Sequence, residues 1–178
     1  YQNHKELFDF IIDHKPDVLD GIKTIFEKQI QKRGWVLGSQ GKNYLRFTTS
    51  KISELTYVNE NSNGWRNKES FLFEFILEPS KNRMNTKTVI SPSDPKYNTS
   101  RLSEIFMKID GFKQPSGKKW LVNHQKIVKF PFSKVDDLSE EEIELEFNKI
   151  LDGFSPIVKS VEEKFIEYRE EISRMKNV

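Results

Sequence analysis

Residues 69–78 read Glu-Ser-Phe-Leu-Phe-Glu-Phe-Ile-Leu-Glu. In an extended chain Phe71, Phe73, Phe75 and Leu77 leave on one side, and Leu72, Glu74, Ile76 and Glu78 on the other. A period of two is the signature of a pleated strand, because successive side chains point to opposite faces. A helix would scatter the same residues around its axis. One side of this strand is nearly all phenylalanine, so it must be covered by another layer of structure. The rest of the chain has to be arranged around that requirement.

Short strands surround it. Trp35-Val36-Leu37 and Tyr44 to Thr48 read as strands joined by a turn from Gly38 to Gly41. Pro79 to Asn85 turns the chain after the aromatic strand, and the β-branched run from Thr86 to Ser91 returns it. Trp120-Leu121-Val122 and Lys126 to Phe130 read as one long strand or as a hairpin. Residues 51–58 fit a short helical turn or a further strand equally well, and Asn59 to Gly64 is loop by composition.

Helical periodicity flanks the strands. Asn3 to Glu6 has capping-box spacing and opens a predicted helix over residues 3–14. A second runs from Pro16 to residue 33, with Val18, Leu19, Ile22, Ile25, Phe26 and Ile30 on one face and Gly34 as its terminator. Asn98, Thr99 and Ser100 precede a short helix carrying Leu102, Ile105, Phe106 and Ile109, which Asp110-Gly111 closes. Ser139 to Glu142 is a second capping box, opening a helix that the sequence ends at Gly153. Ser155-Pro156 then starts a last helix to about residue 175.

The expected fold is therefore α+β: an antiparallel sheet of about four to six strands, flanked by N-terminal and C-terminal helices. Residues 1–178 make one domain, with a helical part over 1–34, a sheet-containing part over 35–134 and closing helices over 137–176. The first residue is Tyr1, not Met, which is what a piece of a longer protein would show.

Several chemistries lack their residues. The chain has no cysteine, which removes disulfides, thiolate zinc sites and thiol nucleophiles, and is compatible with a cytoplasmic location. No apolar run approaches the roughly 20 residues of a membrane span, so no membrane partner is expected. Neither a glycine-rich phosphate loop nor a Gly-x-Ser-x-Gly elbow occurs, and no cofactor is expected. His4, His14 and His124 are scattered, and His124 reads as a surface residue of a strand turn, so no metal ligand set is expected. Asp94-Pro95-Lys96 has the acid-spacer-lysine order of some metal-dependent nucleases. Pro92 and Pro95 rule out the paired strand such a site needs, so the stretch reads as a turn and no catalytic residue is assigned.

Charge is more informative in its distribution than in its sum of +2. Residues 108–134 hold seven lysines and one acid, Asp110. Residues 23–51 hold seven basic residues against Glu27 alone, and residues 136–146 hold seven acids and no base. Trp65-Arg66 follows a polar loop, and Lys118-Lys119 precedes Trp120. Aromatic rings beside cations can stack a base and hold a phosphate. The candidate nucleic-acid-binding residues are Trp65, Arg66, Arg101, Lys118, Lys119, Lys126 and Lys129.

Gly64-Trp65, FLFEFILE, TVISPSD, the helix of Arg101 with LSEIF, a Trp120 strand and a closing helix pair follow one another in that order. Over roughly residues 15–170 this order resembles the region C-terminal to the catalytic core in a group of bacterial proteins of the PD-(D/E)XK nuclease superfamily, some of them near restriction or phage-defence genes. The resemblance implies a nuclease-associated accessory or recognition domain. The superfamily's catalytic acids and lysine lie in a preceding domain, and none has a counterpart here. The expectation is a non-catalytic domain that binds nucleic acid. The alternatives are a protein-interaction or homo-oligomerisation domain and, behind it, a metal-dependent nuclease.

Overall fold

The computed structural model describes residues 16–96 and 98–175. The helix expected over residues 3–14 lies outside them. The elements run α1 (Pro16–Lys32), β1 (Trp35–Leu37), β2 (Tyr44–Thr49), α2 (Ser50–Leu55), β3 (Phe71–Glu78), β4 (Arg83–Ile90), α3 (Ser100–Phe106), β5 (Leu121–Lys129), α4 (Glu140–Glu167) and α5 (Arg169–Arg174). The fold is α+β. Its five strands form one antiparallel meander in the order β1-β2-β3-β4-β5.

The phenylalanine side of β3 meets the helices. Phe47 of β2, Phe73 and Phe75 of β3, and Phe154 of α4 form edge-to-face and tilted pairs with centroids 4.9–6.2 Å apart. Phe26 of α1 stacks on Phe147 of α4 at 4.0 Å. Such ring pairs add about 0.5–1.5 kcal/mol each to what their burial contributes. α1 brings Leu19, Ile22, Phe26 and Ile30 to this core, and Gly34 ends it at φ +76°, as its place in the sequence requires.

The first part of residues 51–58 forms the short helix α2, which ends at Leu55. The Thr49 hydroxyl caps it by accepting from the Ile52 N–H at 3.3 Å. The two segments after Trp120 are one strand, β5, with a register shift opposite Thr88 and Ile90. β4 starts at Arg83, earlier than its β-branched run suggests, because Asn82 takes a left-handed φ of 48° and tightens the turn.

The helix break expected at Gly153-Phe154-Ser155-Pro156 is absent. α4 runs unbroken for 28 residues with Pro156 inside it. Its buried stripe explains why: Ile143, Phe147, Leu151, Phe154, Val158, Val161 and Phe165 continue at helical spacing past the proline, which itself faces solvent. An interior proline costs about 3 kcal/mol. Each large apolar side chain buried on the sheet returns about 1.5–3 kcal/mol, so the stripe wins. Its capping box is complete: Ser139 N–H donates to Glu142 Oε2 at 2.7 Å, and Glu142 N–H to Ser139 Oγ at 3.1 Å.

The other sheet face carries a second, smaller core. Leu72 and Val89 are buried there under Trp65, with Trp120 and Val122 packed beside them. The loop that brings Trp65 over the sheet is tied down by Asn59, whose amide donates to Ser91 Oγ at 2.6 Å and to Pro92 O at 2.7 Å. The Ser70 hydroxyl donates to the carbonyl of Tyr57.

Candidate nucleic-acid interface

The sequence-derived candidates do not form one surface. Trp65 is 8% exposed, and its ring lies 4.8 Å from that of Trp120. It closes the small core and offers no open face on which a base could stack. Arg66 beside it is exposed, as are Lys118 and Lys119 just before Trp120. The contact between the two tryptophans therefore brings Arg66, Lys118 and Lys119 to one end of the sheet.

Lys126 and Lys129 lie farther along β5, and Lys113 is joined to the same strand by its N–H, which donates to Asn123 O at 2.9 Å. β5 is an edge strand of nine residues, about 30 Å long at 3.3 Å per residue. Lysines thus mark its start, its outer flank and its end.

Arg101 is not part of this ridge. Its guanidinium is gripped by Glu104 of α3 and Glu171 of α5. The guanidinium hydrogen bond holds the Glu171 carboxyl below its usual range, and the two acids hold Arg101 firmly protonated. A cation so engaged is a clamp between helices.

Several other basic residues are also paired: Arg33 with Asp152, Arg46 with Glu74, Lys68 with Glu60, Arg83 with Glu78, and Lys164 with Glu167. The Arg46–Glu74 pair is the most buried, its side chains 13% and 9% exposed at 2.6 Å, with the Arg46 guanidinium 4.2 Å from the Tyr44 ring centroid. Lys113, Lys118, Lys119, Lys126, Lys129 and Lys134 differ. Among the described residues none of these six lysines has an ion-pair partner.

His124 is half-buried, contrary to its reading as a surface residue. It sits on the helix-facing side of β5 opposite Thr88, with ring centroids 5.1 Å from Phe112 and 6.5 Å from Phe154. Burial lowers its pKa, and the nearby Lys126 lowers it further. Its Nδ1 is buried and has no hydrogen-bond partner among the described residues.

Asp94 is a turn residue, 7% exposed. Its carboxylate accepts from Glu60 N–H at 2.8 Å and from Lys96 N–H at 2.7 Å. Among the described residues no three histidine, aspartate or glutamate side chains gather where they could hold a metal ion. None of the described helices is long and apolar enough to cross a membrane.

The fold and this edge define a class: an α+β meander domain with a helical layer on one face, a tryptophan-capped patch on the other and a cationic strand at its rim. Compared with known proteins, the chain matches no family model, no curated protein and no solved structure.

Proposed function

We propose that this domain binds nucleic acid along the β5 edge without catalysing a reaction, as the recognition part of a cytoplasmic nuclease or phage-defence system. One observation carries the reading: among the described residues the six lysines from Lys113 to Lys134, on or near β5, have no ion-pair partner. Lysines without acid partners on and around a strand about 30 Å long neutralise phosphates and release counterions, which is the main source of sequence-independent affinity. Arg66 extends this set past Trp120. Buried Trp65 adds no stacking platform, so backbone charge governs the interaction rather than base identity.

The test is fluorescence anisotropy with single- and double-stranded 30-mers across a salt series. Expected is a log-log slope of several units, about 0.7–0.9 per phosphate engaged. The double variant Lys118→Glu/Lys119→Glu should lower affinity at least about tenfold at 100 mM salt and flatten the slope. Unchanged affinity in that variant would remove the proposal.

A further inference from the structure

Antiparallel strands direct the backbone groups of alternate residues to alternate neighbours. In β5 the sides can be assigned. Phe130 N–H donates inward to Asn82 O at 3.1 Å, and Lys126 O accepts inward from the Thr86 hydroxyl at 3.0 Å. The groups of Gln125, Ile127 and Lys129 therefore point outward. At the other end of the strand the outward groups are already used. Val122 exchanges both its hydrogen bonds with Ser116, and Asn123 O accepts from Lys113. From Gln125 onward the outer edge has no backbone partner among the described residues. Natural edges of this length are normally covered or blunted.

Beside this edge lies a cleft of about 460 Å³ between β5 and α4. Val128, Ile150, Phe154 and Ile157 give it an apolar wall, and Lys126 and Lys149 stand at its rim. The cleft lies between β5 and α4 on the helix-facing side of the sheet, where the inward side chains of a sixth strand would lie. On the opposite face Ile127 is 54% exposed and would meet the outward ones.

We infer that the outer edge of β5, from Gln125 to Lys129, is a docking site for an extended acidic segment of a partner protein, added as a sixth strand. Charge selects the occupant. Lys126 and Lys129 have no acid partner among the described residues, and only Glu146, paired with Lys149 at 2.8 Å, is an acid at the cleft. A second copy docked through the same edge would bring two more lysines onto the seam and is disfavoured. Strand addition supplies affinity through main-chain hydrogen bonds and selectivity through alternate side chains, and lysines that repel neutral or basic strands sharpen the choice.

The probe is the peptide Glu-Val-Glu-Val-Glu-Val-Glu, blocked at both ends, titrated into ¹⁵N-labelled protein. Expected are saturable amide shifts confined to β5 and α4, with slowed hydrogen exchange at Gln125, Ile127 and Lys129. Ile127→Pro removes one outward donor and leaves the inward bonds to β4 in place, so the fold should survive. It should weaken peptide binding at least about tenfold. Lys126→Glu/Lys129→Glu should weaken it similarly, and the lysine counterpart of the peptide should not bind. Equal binding to the proline variant would overturn the strand geometry. A concentration-dependent dimer abolished by Ile127→Pro would assign the edge to a second copy instead. Oligonucleotide binding without peptide binding would leave the edge to nucleic acid alone and overturn the inference.

Discussion

His124 shows how far a residue's role depends on neighbours remote in the sequence. As a lone histidine near a turn it carries no signal. In the fold it lies between Phe112 and Phe154 with Nδ1 buried, and burial lowers its pKa. An unfolded chain takes up a proton near the ordinary pKa of 6.5, whereas the native state resists protonation. Stability is therefore full above that value and is lost as pH falls through it towards the lowered native pKa. Urea unfolding of the native chain and of His124→Gln at pH 7.5, 6.5 and 5.5 checks this. The native chain should lose stability relative to the variant at each step down, and a pH-independent difference would contradict it. Trp65 teaches the same lesson. Beside Arg66 and a polar loop it reads as a candidate stacking ring. It is buried because Leu72 and Val89 leave an apolar patch on the second sheet face, which shows only when the strands are paired.

At the scale of elements, what depends on local pattern was legible and what depends on layering was not. The alternation in residues 69–78 located β3, the capping box at Ser139 located the start of α4, and Gly34 located the end of α1. The 153–156 segment misled because Gly and Pro are local punctuation, and only the sheet beneath shows that the apolar stripe crosses them without a phase change. Gly153 is then a glycine with no structural need to be one. It sits mid-helix, its φ is not positive, and a Cβ placed there meets nothing within 4 Å. Gly153→Ala should raise stability by about 0.5–1 kcal/mol, measured by urea unfolding. A loss of stability would mean that α4 bends or opens at this point in solution.

Among the described residues of the whole molecule, two sets of cations contrast. One set holds elements together: Arg101 ties α3 to α5, Arg33 ties the end of α1 to Asp152 of α4, and Arg46 neutralises Glu74 inside the second sheet face. Their partners lie 28 to 119 residues away, so the sequence displayed the charges without showing which were spent. The other set, Lys118, Lys119, Lys126 and Lys129, is exposed and has no ion-pair partner among the described residues. Like charges along one edge repel, so these lysines give the fold nothing it would miss. Replacing all four by glutamine should leave the melting temperature within about 3 °C of the native value, or raise it. The same variant should elute from a heparin column at distinctly lower salt, because anion attraction depends on the charges removed. A large fall in melting temperature would mean that the ridge serves the fold. Unaltered elution would mean that polyanions meet the molecule on another surface, and the basic residues of α1 and β2 would be the next to replace.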